Sequence, residues 1–274
     1  MEYEFHKIRS KKQHWTCHKC TLPQFQDELF NDFTNANDSM NIEGNSDCDV
    51  EINLPNFKKG IKIGLLNINR LLPHVHQLST TVKTLKLQIM CVVETWLTNN
   101  IQTDEITIED YNTLRLDRSK DNSNKQCGGG CAIYIESHIP YKPRLDLQDP
   151  TLELLWCEIC IPNMSPFLVG CIYRPPDSDC TFNARLAENL EKVSSENKET
   201  LLLGDFNINC NNENRLSRGL LEVTDHHDME QLIDQPTRVT PHSSTLIDLI
   251  FTTHKPNIVQ TGVLPISISD HYLP

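Results

Sequence analysis

Polar side chains recur where the apolar runs of this sequence stop. Asn67 and Asn69 close IKIGLLNIN, Glu94 follows IMCVV, Tyr173 ends FLVGCIY, and Asp205 and Asn207 follow TLLLG. Asp270 and His271 come straight after PISIS. Taken singly, an Asp or Asn at a strand end is most often a turn former. Asp248 is different, because it lies between Ile247 and Leu249 inside LIDLIFT. A carboxylate buried there is costly unless it is paired, and His271 is a candidate partner. Together the set has a chemistry. Carboxylates with amide side chains suit a hard, oxygen-ligated cation such as Mg²⁺. A His with a carboxylate partner can polarise or protonate an anionic oxygen. A Tyr hydroxyl and Asn amides can donate to a phosphoryl group. No GxSxG element occurs, and no Ser–His nucleophile pair is legible. The inventory fits metal-assisted hydrolysis of a phosphodiester or phosphomonoester by water.

The elements that must carry these residues are also legible. IKIGLLNI, IMCVVE, AIYIE, LLWCEICI, FLVGCIY, TLLLGDF and LIDLIFT read as strands. Val75, Leu78, Val82 and Leu85 recur at helical spacing, and FNARLAENLEKVSS reads as a second helix. Residues 216–223 and 228–234 are expected as short helices. The pattern implies an α/β (α+β) sandwich of packed sheets covered by helices. Gly128-Gly129-Gly130 leads into AIYIE. A phosphate-cradling loop would lead into a helix, so a turn requiring positive φ or close backbone approach is expected here.

Composition narrows the class. The 274 residues carry 25 basic and 37 acidic side chains, a net charge of −12. That argues against non-specific coating of a polyanion, so any basic binding face must be local. No apolar run approaches the roughly 18 residues of a membrane helix, and the polar N-terminus is not a secretory signal. A soluble intracellular protein without a membrane partner is expected. Eleven Cys, mostly single and within apolar segments, read as reduced core thiols. Residues 27–53 hold eight acidic side chains and no basic ones, a solvated linker by composition. The chain is thus read as a head (1–25), an acidic disordered linker (26–60) and a catalytic body (61–274).

In this order, LNINRL, VVETWL, IYRPP, LLLGDFNIN, LIDLIF and SISDH resemble the endonuclease/exonuclease/phosphatase superfamily. ETWL, the glycine triplet with AIYI, YRPP, and PTRVT with STLIDLIF resemble its non-LTR (LINE-type) retrotransposon endonuclease branch. The resemblance implies a DNase I-like, four-layered fold of two mixed β-sheets flanked by helices. It also implies Mg²⁺-dependent nicking of DNA, with Mn²⁺ as a substitute; zinc is not expected, because only one Cys pair of the needed spacing precedes the body. It makes Glu94 the principal metal ligand with Asn67 and Asn69 beside it and Asp270 near the metal. Asp205 would position or deprotonate water, Asn207 would orient the water or the phosphate, and Tyr173 would contact the phosphate. His271, held by Asp248, would stabilise charge on the phosphoryl oxygens. Thr240 matches a DNA-contacting Thr, Ser269 belongs to the SDH motif, and Arg174 and Arg238 are candidates for DNA backbone contacts. The resemblance further implies nuclear location, a monomer, and a reverse transcriptase part on another or longer chain. A phosphatase or phosphodiesterase of the same superfamily acting on a lipid or small substrate, or a non-catalytic truncated relic, is the alternative.

Cys17 and Cys20, after Trp15, resemble the closing end of a PHD-type zinc finger without its first half, hence a remnant. Cys157 and Cys160 share the spacing, but positions i and i+3 of a strand face opposite ways. His226-His227-Asp228 is expected to form a solvated turn. The family's SDH loop precedes a further core strand, so the sequence is expected to be truncated at both ends, with His271 on a fraying terminus.

Overall fold

The computed structural model describes residues 60–119 and 128–274. Cys17 and Cys20 therefore lie outside the described residues. The two main sheets lie in the compact unit Leu54–Val239 with Ser243–Pro274.

Its first sheet is built from β1 (Ile63–Asn67), β2 (Ile89–Val93), β3 (Tyr111–Leu116) and β4 (Cys131–Glu136), in the order β1-β2-β4-β3. β1 and β2 are parallel; the other pairs are antiparallel. The second sheet uses β5 (Tyr141–Pro143), β6 (Glu153–Ile159), β7 (Phe167–Tyr173), β8 (Thr200–Asp205), β9 (Glu230–Gln231) and β12 (Asp248–Thr252), in the order β5-β6-β7-β8-β12-β9. It is also mixed, with β7 and β8 parallel. β10 (Arg238–Thr240) and β11 (Ser243–Thr245) pair separately. The helices are α1 (Val75–Leu85), α2 (Phe182–Ser194) and α3 (Arg215–His226).

Alternation along the strands sorts the layers. On β2, Ile89, Cys91 and Val93 join the core shared with the second sheet, while Met90 and Val92 pack in the cluster containing Leu78, Val82 and Leu85 of α1. On β4, Cys131, Ile133 and Ile135 face the second sheet, and Ala132 and Tyr134 join the α1 cluster. α2 buries Phe182, Leu186, Leu190 and Val193, one face at helical spacing. Each such side chain contributes on the order of 1.5–3 kcal/mol of burial. Trp156 Nε1 donates to Asn189 of α2 at 3.0 Å, tying helix to sheet. The result is the expected four layers, α1, first sheet, second sheet, then α2 and α3.

Three readings are corrected. Residues 228–234 are not a helix: the stretch holds the short strand β9 against β12. His226 ends α3 and His227 and Asp228 form the expected turn after it, but His227 is buried there, with its Nδ1 3.3 Å from Ser194 Oγ, so that side chain is not solvated. His271 does not sit on a loose end. Tyr272 N donates to Thr237 O at 2.6 Å, Leu273 bridges to Leu264, and Leu65 N donates to Pro274 O at 3.1 Å. Cys91, Cys131, Cys157 and Cys171 are buried free thiols, as expected.

Candidate active site

Strand register lines up the polar residues. Asp248 sits opposite Asp205 across β12–β8, Tyr173 opposite Asp205 across β7–β8, and Glu153 opposite Tyr173 across β6–β7. Directly opposed residues share a face. Cys171, two residues before Tyr173, reaches Val92 O and Ala132 O of the first sheet, so this face looks toward that sheet. Asn67 and Val93 are register partners at the ends of β1 and β2, and Glu94 follows. The two sheets thus deliver their polar ends to one edge.

On the buried side, Asn67 Nδ2 donates to Asp205 Oδ2 at 2.8 Å, and Asn207 N donates to Asp205 Oδ1 at 2.8 Å. His271 Nδ1 lies 2.8 Å from Asp248 Oδ2. Ligand atoms of Asp205, Asp248 and His271 fall within 4.8 Å of one another, and all three residues are buried. Asp248 Oδ1 is buried without a hydrogen-bond partner. Burial pushes the Asp205 carboxyl up to about 7, aided by the Asp248 charge and opposed by His271 and by the N–H donors of Asn207 and Asn67. Burial alone would lower the His271 imidazolium, but the Asp248 hydrogen bond and nearby carboxylate charges leave it raised. With Nδ1 on Asp248, Nε2 is the nitrogen left for a ligand.

On the other side, Glu94 is half-buried and holds two donors: Tyr173 Oη–H on Oε1, and Trp96 Nε1 on Oε2 at 2.6 Å. Burial, then Glu94, raises the Tyr173 hydroxyl far above its ordinary range. Glu94, Trp96, Asn69 and Arg70 all have positive φ. Such residues cost on the order of 1–3 kcal/mol each and persist only where surroundings hold them. Here Arg70 N donates to Glu94 O and Leu71 N to Thr95 O, both at 2.9 Å, knitting the two loops together. Arg70 also stacks over Trp96 at 4.7 Å.

Several expected placements change. Asn67, expected beside a metal, spends both ends of its amide inside the chain: Nδ2 on Asp205 and Oδ1 on Asn69 N. Tyr173 has one hydroxyl proton, and it goes to Glu94 rather than outward. Arg174, expected to face DNA, is buried; it points at Phe206 O and Pro175 O and stacks over Phe182, with its guanidinium pulled down by burial. Ser269 turns its hydroxyl to Asn67 O at 2.6 Å, fastening the SDH loop to β1 instead of facing DNA. Arg238 and Asp270, expected apart on DNA and metal, pair with each other at 2.8 Å. Asp270 Oδ1 is also 4.0 Å from His271 Nε2. Thr240 ends β10, and its Oγ1 accepts from His242 N at 3.3 Å. Sequence reasoning missed Thr237, whose Oγ1 accepts from Asp248 N at 3.0 Å, and Trp96. Both stood inside recognised phrases, PTRVT and ETWL, which were the available signal.

A protein-family model, the endonuclease/exonuclease/phosphatase family, matches residues 41–271. The chain belongs to that family. Its members are hydrolytic nucleases and phosphatases. The endonuclease domain of TRAS1, a telomere-specific non-LTR retrotransposon, superposes with TM-score 0.61 at 14% identity, covering 78% of this chain and 96% of that one. The AP endonuclease LMAP from Leishmania major gives 0.63 at 12%, covering 78% and 86%. The 3′ phosphatase NExo from Neisseria, bound to a product DNA hairpin, gives 0.57 at 14%, covering 78% and 97%. At these identities the likeness establishes the family's two-sheet fold. No curated protein matches the chain. No helix among the described residues is long and apolar enough to cross a membrane.

Proposed function

We propose that this chain is a divalent-metal-dependent DNA endonuclease of non-LTR retrotransposon type, nicking one strand by water attack and leaving a 3′-hydroxyl. The observation that carries it is Asp205, held by Asn67 and Asn207, beside the His271–Asp248 pair and across the site edge from Glu94. Asp205 takes the proton of the attacking water, and a pKa near 7 suits a general base at neutral pH. Asn67 and Asn207 hold its carboxylate in orientation. His271, its protonated form favoured by Asp248, meets the negative charge that develops on the phosphoryl oxygens, a kind of contact worth about 10²–10³ in rate. Tyr173 and Trp96 fix the Glu94 carboxylate.

The donor set fits Mg²⁺ or Mn²⁺. Glu94 is a half-exposed hard oxygen donor, and the exposed Asn69 lies on the adjoining loop. When bound, the cation neutralises phosphoryl charge and lowers the pKa of coordinated water. DNA is the partner. The retrotransposon-type reading adds nuclear work beside a reverse transcriptase.

The test is nicking of supercoiled plasmid by the purified chain with Mg²⁺, beside Asp205→Ala. Metal-dependent nicking in the parent and its loss in the variant are expected. A folded parent that leaves the plasmid intact overturns the reading. Phosphate release from a 3′-phosphorylated DNA hairpin would then favour the phosphatase alternative, which the Neisseria 3′ phosphatase fold supports.

A further inference from the structure

A buried ion pair stands behind the Glu94 side of the site and takes no part in the chemistry above. Arg118 Nη2 lies 2.8 Å from Glu153 Oε1, and the two side chains are 5% and 1% exposed. Arg118 Nε also donates to Oε1 at 2.8 Å. Burying such a pair is costly, and it is weak evidence for stability on its own. Each partner instead touches something that leads to Glu94. The Arg118 guanidinium lies 5.7 Å over the ring of Tyr173, which donates to Glu94. Glu153 Oε2 accepts from Gly130 N in the glycine triplet.

The triplet completes the link. Gly128, Gly129 and Gly130 have φ of +84°, +65° and +86°. In that shape Gly129 O accepts from Trp96 N at 2.9 Å, and Gly130 O accepts from Thr95 N at 3.4 Å. These bonds clamp the residues around Glu94, itself left-handed at +56°. A Cβ on Gly129 would collide with both Arg118 and Glu153, so the turn is packed directly on the pair.

We propose that Glu153 and Arg118 are positioning residues that hold Glu94 in its metal-binding orientation through the glycine turn and Tyr173. This rests on the metal-dependent reading of Glu94 given above. Glu153 anchors the turn, the turn clamps Thr95 and Trp96, and Trp96 with Tyr173 aims the carboxylate. Residues behind a metal ligand typically change metal affinity about 10–100-fold when removed.

The experiment uses the full chain and Mn²⁺ alone, with affinity read by calorimetry, no DNA present, and folding monitored by thermal melting. Glu153→Ala should weaken Mn²⁺ binding at least about tenfold. Glu153→Gln, which keeps an acceptor for Gly130 N, should recover part of the loss. Gly129→Ala breaks the same link from the other side and should behave like Glu153→Ala. Amide hydrogen exchange at Thr95 and Trp96 is followed in parallel and should speed up in Glu153→Ala beyond the change at Leu202, deep in β8. A structural role alone would lower the melting point and leave Mn²⁺ affinity per folded molecule unchanged, which overturns the proposal. If the parent binds no Mn²⁺, the metal reading fails, and the exchange arm decides the positioning role: unchanged Thr95 and Trp96 exchange overturns it.

Discussion

The two sides of the site are built differently. Asp205 and Asp248 sit at the ends of paired strands in one sheet, directly opposed, and His271 closes on Asp248 from the C-terminal segment. Their backbones are set by the β8–β12 ladder, and their side chains meet without intermediaries. Glu94 follows the end of β2, on a left-handed residue, with Arg70, Thr95 and Trp96 held by bonds between loops. Its aim depends on Tyr173, Trp96 and the glycine turn. On the proposed reading, a dry side built on paired strands is assigned proton transfer and charge stabilisation, and a wetter, looped side is assigned the cation. Low dielectric strengthens the first; exposure lets the second exchange its ligand.

The sharpest way to break this comparison is a pair of variants. His271→Ala should lower the nicking rate by about 10²–10³, with no recovery at high Mg²⁺. Glu94→Gln should lose activity at low Mg²⁺ and regain much of it as the metal is raised. A metal titration of both rates checks this, and rescue of His271→Ala by metal would erase the distinction.

A smaller effect is the pH dependence. In its proposed role Asp205 is a base only when ionised, and its carboxyl is raised to about 7. The kcat/KM for nicking should therefore fall about tenfold per pH unit below 7, and fall again at high pH as His271 loses its proton. Asp248→Asn removes the charge that helps raise both groups, so both limbs should move to lower pH. Limbs that stay in place would show that Asp248 does not couple to either group. The smallest expected change is Trp96→Phe, which deletes one donor to Glu94. A hydrogen bond to a charged group is worth about 1.5–3 kcal/mol when buried, and less at this half-exposed site. Several-fold weaker activation by Mg²⁺ at an unchanged maximal rate is the expected result.

The legible parts of the molecule were those with short-range signals. Apolar runs ending in Asn67, Glu94, Tyr173 and Asp205 marked strands and their polar ends, because alternation and termination are local properties of a chain. Asp248 announced a need for a partner, since a carboxylate flanked by Ile247 and Leu249 must be paired when buried, and His271 lies 2.8 Å away. Residues 228–234 misled because short apolar runs fit both helix and strand; pairing with β12 decided for strand. Arg174 misled because an Arg beside Pro175-Pro176 reads as surface; the carbonyls of Pro175 and Phe206 took it inward.

The sequence by itself determined the family, the strands and the kinds of groups available, because these are written in local pattern and in the order of motifs. Only the tertiary structure decided which group serves which. It gave the Tyr173 proton to Glu94, Asn67 to Asp205, Arg238 to Asp270, and Glu153 to the glycine turn. Those choices join residues up to 138 positions apart. They follow from strand register and from the cost of leaving a buried polar group without a partner.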